Sequence, residues 1–355
     1  MARALALANR GLNTTTPNPR VGCVIVAGDD VIGEGWHERA GSPHAETNAL
    51  ADAAARGSSP RGATMYVTLE PCNHTGRTPP CTEAIIAAGL RRVVAAMADP
   101  NRGAASGAVR LRAAGIPVDI GLLGDEAREQ NIGFVSRMTR ARPWVRMKAA
   151  ASLDGRTALS TGESKWITGE AARADAHLWR ARACAILTGH GTVHHDDPQL
   201  TVRAIAASRQ PLRIVIDRHA ETPASARVLA DDNALMVTAG ERNPTWPPGI
   251  AHLALPDADG RIDLGALMAA LAARGINELH VEAGARLNGA LLDAGLVDEL
   301  LLYVAPSIIG DPALGVAEFR SGLAELSDRI ELTVREVTQI GTDLRIVARP
   351  NKRAR

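Results

Sequence analysis

The stretch "PHAETNALADAAARGSSPRGATMYVTLEPCNHTGRTPPC" (Pro43–Cys81) decides how the first part of the chain is organised. It contains His44, a glutamate two residues later, and two cysteines, Cys72 and Cys81, that each follow a proline. The alanine-rich segment after His44 has the composition of a helix that ends before Gly57, and "ATMYVTL" has the composition of a strand. A helix, a strand and a second helix in this order would place the three potential metal ligands at one end of a sheet.

These residue types predict a catalytic zinc site. Catalytic Zn²⁺ keeps three protein ligands and one open position, and His44, Cys72 and Cys81 would supply one nitrogen and two thiolates. Glu46 is then left over as a proton carrier that does not bind the metal. H-x-E followed by P-C-x-x-C is the signature of zinc-dependent nucleobase deaminases. Here eight residues separate the two cysteines instead of two, which lengthens the loop between the ligands.

One alternative to this catalytic site is a zinc-stabilised module that binds nucleic acid. Such a module would need a closed site with four ligands and a basic face. The sequence offers three ligands and a spare glutamate, and its formal net charge is +1. A lone histidine or cysteine is more often structural, but the combination favours the catalytic site. We therefore expect no nucleic-acid partner.

Length and composition favour a two-domain, cytoplasmic protein. The chain has 355 residues, and domains usually take about 100–200. With 46% apolar and 22% charged residues it has the composition of a globular protein. No apolar run reaches the roughly 18 residues that suggest a membrane span. The first twenty residues do not resemble a signal peptide, and a chain of this length does not need disulfides.

Strand and helix patterns alternate along both halves, which predicts an α/β fold for each. Val21–Trp36 is predicted to form a hairpin, and Gly124–Arg140 a single charged, amphipathic helix. The segment "ARPWVR" (Ala141–Arg146) is a plausible joint. We therefore predict domains at residues 1–142 and 143–355.

Seven segments together resemble the bifunctional riboflavin-biosynthesis deaminase/reductase family, and the resemblance covers nearly the whole chain. They are "PNPRVGCVIV", "HAETNAL", "TLEPCNHTGRTPPC", "AASLDGRTA", "GESKWIT", "DDPQLTVR" and "VEAGARLNGALL". The resemblance implies a cytidine-deaminase-like N-terminal domain and a dihydrofolate-reductase-like C-terminal domain. It also implies two successive reactions: deamination of a phosphorylated diaminopyrimidine, then NADPH-dependent reduction of its ribosyl group to ribityl. Homodimers or higher homo-oligomers are expected from the same resemblance.

The resemblance also implies roles for residues of the first half. His44, Cys72 and Cys81 match the zinc ligands, and Glu46 matches the proton shuttle. Four further residues match substrate contacts: Asn18, His37, His74 and Arg77.

In the second half the resemblance implies a site for NADPH beside a site for the phosphorylated substrate. The implied NADPH contacts are Ala150, Trp166, Thr192, Asp196, Arg218 and the stretch Gly284, Ala285, Arg286, Leu287, Asn288, Gly289 and Ala290. The implied substrate contacts are Ser164, Arg180, Leu200, Arg203 and Glu282.

Physical arguments support parts of this second set. The glycine-rich stretch follows a strand and opens a helix, so its amides suit a pyrophosphate. Arg180 and Arg203 can hold a phosphate through charge-assisted hydrogen bonds. Asp217 and Arg218 both end a predicted buried strand, where an acidic residue favours a free ribose hydroxyl and an arginine accommodates a 2′-phosphate. The motif alone leaves the choice of cofactor open, and the resemblance points to Arg218. Lys148 and Asp154 can be either catalytic or structural. A single-activity enzyme with one half as scaffold is a further alternative, although the residues for both sites are present.

Overall fold

The computed structural model describes residues 1–75, 79–310 and 312–351. The chain forms two compact units, Met1–Ala141 and Arg142–Arg355. Both units combine helices with a β-sheet, so the predicted α/β fold class is confirmed. Within the described residues, no helix is both long enough and apolar enough to cross a membrane.

The first unit is built around one sheet with helices packed against it. Its helices and strands are α1 Ala2–Asn9, β1 Gly22–Ala27, β2 Asp30–Trp36, α2 Ala45–Ala55, β3 Thr64–Val67, α3 Cys81–Ala87, β4 Arg92–Ala95, α4 Gly107–Ala113, β5 Val118–Ile120, α5 Gly124–Gln130 and α6 Ile132–Arg140.

The strands of this sheet lie in the order β2-β1-β3-β4-β5. Strand β1 is antiparallel to β2 and β3, whereas β3, β4 and β5 are parallel. The carboxyl ends of β3 and β4 therefore meet at one edge, which is where the segment containing Cys72 begins. The aliphatic core beneath this edge includes Ile25, Met65 and Val93.

Glycines in β2 let α2 lie close to the sheet. A Cβ atom at Gly33 would lie 2.3 Å from the carbonyl oxygen of Ala49, and one at Gly35 would lie 2.4 Å from the Ala49 nitrogen. Real Cβ atoms do not come this close to backbone atoms, so only glycine fits at either position. This close contact holds the start of α2, which carries His44 and Glu46.

The predicted single helix over Gly124–Arg140 is wrong, because the chain breaks at Asn131 into α5 and α6. Asn131 has φ −107° and ψ 21° and is only 2% exposed. Its side-chain oxygen accepts a hydrogen bond from the Arg20 amide at 2.8 Å, and its side-chain nitrogen donates to the Arg20 carbonyl at 2.9 Å. This pair of bonds to a distant segment interrupts a pattern that is helical on both sides.

The second unit is also built around one large sheet. Its helices and strands are β6 Trp144–Ser152, β7 Arg156–Leu159, α7 Glu170–Arg182, β8 Ala185–Gly189, α8 His190–Asp196, β9 Leu212–Ile216, β10 Ala234–Thr238, β11 Ala251–Ala254, α9 Leu264–Ala273, β12 Glu278–Val281, α10 Ala285–Asp293, β13 Glu299–Ala305, β14 Ala313–Gly315, β15 Leu332–Ile340 and β16 Asp343–Pro350.

In the described part of the chain this sheet has nine strands in the order β11-β10-β9-β8-β12-β6-β13-β16-β15. The strands from β11 to β13 are parallel, and β16 and β15 continue the sheet as an antiparallel hairpin. In open parallel sheets, ligands bind at the edge formed by the carboxyl ends of the strands. Residues that follow β8, β9 and β12 lie at that edge.

A row of buried charges links the sheet to α7. The Arg146 guanidinium is 1% exposed, and it pairs with Glu299 at 2.6 Å and Glu278 at 3.1 Å. It also lies 4.6 Å from the ring centroid of Trp179 on α7. Removing one partner from such a buried pair costs about 3–5 kcal/mol, so these charges fix how α7 packs on the sheet.

Candidate functional site

The start of α2 presents a histidine and a glutamate toward one cleft of the first unit. His44 is the N-cap residue, with extended backbone (φ −76°, ψ 165°), and Glu46 lies in the first helical turn. Glu46 is 4% exposed, and its burial raises the pKa of its carboxyl group to about 7. Within a helix, side chains at positions i and i+2 point in different directions. His44 lies before the helix with extended backbone, so this restriction does not apply to His44 and Glu46.

Two cysteines complete a three-ligand cluster with His44. Cys72 lies in the segment after β3, and Cys81 is the first residue of α3. His44 Nδ1 lies 3.2 Å from Cys81 Sγ and 3.5 Å from Cys72 Sγ, and the ligand atoms of all three residues lie within 4.8 Å of one another. Among the described residues this is the one group of at least three His, Cys, Asp or Glu side chains so placed.

The donor set fits zinc. A tetrahedral site with Zn–N near 2.0–2.1 Å and Zn–S near 2.3 Å would place nitrogen and sulfur about 3.5 Å apart, which is close to the two distances from His44. Hydrogen bonding from Cys81 lowers the pKa of the Cys72 thiol to about 4, while its bond to Cys72 and burial raise the pKa of Cys81. Cys72 is therefore favoured as a thiolate, which is the form of cysteine that binds a metal.

The cluster opens into a cleft of about 500 Å³. Two of the predicted substrate contacts, Asn18 and His37, line it as a hydrogen-bonded pair with 3.1 Å between Asn18 Nδ2 and His37 Nε2. His37 Nδ1 lies 3.1 Å from the Pro43 carbonyl, so Nδ1 donates and Nε2 accepts from the amide. Burial lowers the pKa of His37, which agrees with this neutral form. The His37 and His44 ring centroids are 5.4 Å apart.

The cysteine loop carries the other two predicted substrate contacts of this half. His74 lines the same cleft and is exposed. Arg77 lies outside the described residues.

Two acidic residues that the motifs do not identify also line this cleft. Glu70 accepts hydrogen bonds from the amides of Ala108 at 2.9 Å and Asp99 at 3.2 Å, so it ties α4 and the segment after β4 to the segment that carries Cys72. Burial raises the pKa of Asp99 to about 6. The sequence contains a pattern that could have identified them. Glu70 and Asp99 each follow a strand, and the carboxyl ends of neighbouring parallel strands meet at one edge of the sheet.

In the second unit the structure brings the predicted substrate contacts Arg180, Leu200, Arg203 and Glu282 together. Arg180 forms a two-point ion pair with Glu282, with N–O distances of 2.5 and 2.8 Å. Arg180 also donates to the Thr201 carbonyl at 3.0 Å, and Arg203 donates to the Thr201 hydroxyl at 3.0 Å. Glu282 thus occupies the guanidinium fork of Arg180 that is predicted to bind phosphate, whereas Arg203 donates to a neutral hydroxyl.

Lys148 and Asp154 differ in their surroundings. Burial lowers the pKa of Lys148, and its charged neighbours are Glu282 and Arg180. Asp154 accepts hydrogen bonds from Ser152 Oγ at 2.5 Å and from the amides of Ile309 and Gly310, and these bonds lower its pKa to about 2. Lys148 therefore lies beside the predicted substrate contacts, whereas Asp154 fixes a turn.

Several predicted NADPH contacts lie at the carboxyl edge of the large sheet. Gly284 is the N-cap of α10, and an added Cβ there would lie 4.0 Å from Thr192 Oγ1 on α8. Asp196, at the end of α8, pairs with Lys165 at 3.3 Å. Trp166 is 70% exposed, and the Arg173 guanidinium lies 4.7 Å from its ring centroid.

The remaining predicted NADPH contacts are less tightly grouped. Ala150 is on β6, opposite Tyr303 of β13. Arg218 follows β9, and its guanidinium donates to the Gly260 carbonyl at 2.8 Å. Ser164, a predicted substrate contact, is in the exposed loop before Trp166. Gly289 lies inside α10, where a Cβ would come within 1.8 Å of the Glu318 carbonyl oxygen; this glycine serves close packing.

Comparison with known protein families finds one matching family in each of the two units of the chain. Residues 1–97 match the cytidine and deoxycytidylate deaminase zinc-binding region, and residues 143–346 match the RibD C-terminal domain. The riboflavin biosynthesis protein RibD of Escherichia coli K12 is 48% identical over 97% of this chain and 96% of its own length. That of Aquifex aeolicus is 41% identical over 97% of this chain and 96% of its own length.

Solved structures give the same result over the whole chain. Acinetobacter baumannii RibD, form 1, has a TM-score of 0.90 and 41% identity, and the match covers 99% of this chain and 98% of that one. A Thermotoga maritima protein described as a diaminohydroxyphosphoribosylaminopyrimidine deaminase/5-amino-6-(5-phosphoribosylamino)uracil reductase has a TM-score of 0.90 and 35% identity. That match covers 99% of this chain and 97% of the other.

Proposed function

Because this chain belongs to the RibD family of riboflavin biosynthesis proteins, we propose that its two units perform two successive steps of that pathway. The first is hydrolytic deamination of 2,5-diamino-6-ribosylamino-4(3H)-pyrimidinone 5′-phosphate. The second is NADPH-dependent reduction of the ribosyl side chain, which gives 5-amino-6-ribitylamino-uracil 5′-phosphate. The observation that carries the proposal is the cluster of His44, Cys72 and Cys81 with the buried Glu46 beside it.

In the first unit, His44, Cys72 and Cys81 would hold Zn²⁺. A zinc ion bound there supplies Lewis acidity that activates water near neutral pH. Glu46 takes one proton of the attacking water and delivers it to the ring nitrogen, and it then transfers the second proton of that water to the departing amine, which leaves as ammonia. Asn18 and His37 bind and orient the pyrimidine.

In the second unit, the chain orients the sugar against the nicotinamide. NADPH supplies a hydride, and the ribosyl group accepts it in its open-chain imine form. The Arg180–Glu282 pair and Lys148 lie together in this unit, and we assign them to holding the sugar and supplying the proton that must accompany the hydride. Much of the rate enhancement then comes from positioning the two reacting carbons.

The cofactor would lie along the carboxyl edge of the large sheet. The start of α10 at Gly284 offers backbone amides to the pyrophosphate. Trp166 offers an exposed aromatic face, and Arg218 is assigned to the 2′-phosphate, which distinguishes NADPH from NADH. These contacts, and residues 1–142 and 143–355 as the two functional domains, are part of the proposal.

A homodimer is also part of the proposal, with β15 as its contact. This strand pairs with β16 alone among the described strands, and Val334 and Val337 are each 57% exposed on it. An edge strand with exposed apolar side chains can pair with another chain. The double variant Val334→Lys/Val337→Lys should convert a dimer to a monomer in light scattering; a wild-type monomer would contradict the assignment.

The cysteines support a reducing compartment. Cys23, Cys72, Cys81 and Cys184 are all buried, and no two of them form a disulfide. Structural disulfides are rare where glutathione keeps thiols reduced, so we place both reactions in the cytoplasm. Fractionation of cells followed by activity measurement tests this placement.

The proposed function is tested by following ammonia and NADPH separately. With the diaminopyrimidine substrate and no NADPH, the protein should release ammonia and then stop. Addition of NADPH should start oxidation in proportion to the ammonia already released. NADPH oxidation without ammonia release, or neither signal, would contradict the two-step assignment.

A further inference from the structure

We propose that Arg137 is the residue of the first-unit cleft that recognises the phosphate of the pyrimidine substrate. This inference rests on the proposed deaminase function, and it assigns a specificity determinant to that same cleft. It starts from the charges that line the cleft and from the way in which Arg137 is held there.

The charges lining the cleft are mostly unfavourable for an anionic substrate. Glu46, Glu70 and Asp99 all line it, whereas Arg137 is its one arginine or lysine among the residues that the structure describes. A phosphate monoester carries about −1.5 to −2 charges at pH 7. A cleft with three carboxyl groups therefore needs a cation to hold such a substrate, and a guanidinium matches phosphate geometry best.

Arg137 lies on α6 and is hydrogen-bonded to the loop that carries the predicted substrate contact Asn18. Its Nη2 donates to the Pro17 carbonyl at 3.0 Å, and its guanidinium lies 5.8 Å from the ring centroid of Phe134. Pro17 directly precedes Asn18, which bonds to His37, and the His37 ring packs against that of His44. Arg137 is thus connected, through three consecutive contacts, to the metal centre at which the pyrimidine ring must react.

This arrangement suits a substrate whose ring and phosphate are separated by a sugar. The ring reacts at His44, Cys72 and Cys81, next to Asn18 and His37. The ribosyl 5′-phosphate extends away from the reacting carbon, and Arg137 supplies a cation at a part of the cleft that contributes no metal ligand. Arg137 would therefore act on substrate binding and leave the chemistry at the metal centre unchanged.

The test removes the Arg137 side chain and the substrate phosphate, separately and together, as in a double-mutant cycle. The kcat/KM for ammonia release is measured with the phosphorylated pyrimidine and with the same compound after phosphatase treatment. Arg137→Ala should lower kcat/KM for the phosphorylated compound about ten- to a hundred-fold, chiefly through KM, as expected for a lost charge-assisted hydrogen bond. Activity on the dephosphorylated compound should change by less than about two-fold.

Three companion variants keep the result interpretable. Arg137→Gln retains a donor for the Pro17 carbonyl and should lose the phosphate preference without loss of folding. Arg140→Ala, one turn further along α6 and outside the cleft, should change neither value. Arg77→Ala tests the cysteine loop as the alternative phosphate ligand. Zinc content should stay at the wild-type level in all three.

Equal effects of Arg137→Ala on both compounds, or no effect on either, would overturn the assignment. So would a loss of the phosphate preference in Arg77→Ala but not in the Arg137 variants. Failure of the wild-type protein to deaminate either compound would instead overturn the proposed function, and this inference with it.

Discussion

At the scale of single residues, the metal centre depends on a division of labour between ligands and a proton carrier. His44, Cys72 and Cys81 offer three ligand atoms within 4.8 Å of one another. Glu46 is buried beside them and is not one of the three residues whose ligand atoms form this group. Metal binding and proton transfer should therefore be separable by substitution.

Glu46→Gln should bind zinc normally and lose most deamination. The amide keeps the shape of the side chain but cannot carry the proton, and loss of a general acid–base group typically costs about 10²–10⁴-fold in rate. Zinc content by atomic absorption and ammonia release measure the two effects. Glu38→Gln, an exposed change nearby, is the control and should alter neither. Near-normal turnover with full zinc content would reject Glu46 as the shuttle.

Cys72→Ser should lose zinc and deamination but keep reduction of the supplied deaminated intermediate. A serine hydroxyl is a poor substitute for a thiolate ligand, and the reductase contacts lie in the other unit. The matched control is Cys184→Ser, because Cys184 is equally buried but accepts hydrogen bonds from the Asn277 and Glu278 amides. A Cys72→Ser protein with full zinc content would show that the ligand assignment is wrong.

At the scale of helices and strands, local patterns predict most of the elements. The hairpin over Val21–Trp36, the helix after His44 and the strand–helix order of the glycine-rich stretch are set by short-range composition and turns, and the structure contains them. The helix break at Asn131 was not predictable in this way, because its hydrogen bonds reach Arg20, 111 positions earlier.

The candidate site also combines residues that local motifs identify with residues that only the fold brings together. His44, Glu46 and Cys72 belong to short sequence motifs, so they can be predicted as site residues from the sequence alone. Glu70 and Asp99 enter the cleft because β3 and β4 are parallel neighbours, which no single motif encodes. The Arg180–Glu282 pair joins residues 102 positions apart, and its effect on phosphate binding is visible only in three dimensions.

Asn131→Ala should destabilise the first unit without changing the secondary structure of the second. It removes two buried hydrogen bonds to the Arg20 backbone and leaves those groups unsatisfied, at a cost of about 1–3 kcal/mol each. Urea unfolding of the full chain, followed by the deaminase activity, measures this effect. Asn9→Ala, at the exposed end of α1, is the control. Equal unfolding midpoints for the two variants would contradict the proposed role of Asn131.

At the scale of the whole molecule, the chain divides into two compact units after Ala141. Each unit has its own aliphatic core and its own sheet. The candidate metal centre belongs to the first unit, and the Arg180–Glu282 pair and the α10 N-terminus belong to the second. We therefore expect the two reactions to be separable by truncation.

A protein that begins at Ala141 should fold alone and reduce the deaminated intermediate. It contains the complete nine-stranded sheet described above and all the predicted NADPH contacts. Circular dichroism and NADPH oxidation measure folding and activity. An insoluble fragment, or one that is folded but inactive, would show that the second unit depends on the first.

The central claim is that one chain carries out both reactions in order, and mass spectrometry of the products tests it most directly. The full-length, zinc-loaded protein is incubated with the phosphorylated diaminopyrimidine, with and without NADPH. Without NADPH, the product should differ from the substrate by one amine replaced by one oxygen. With NADPH, it should carry two further hydrogens. A reduced product that retains the amine, or no change of mass in either sample, would contradict the account.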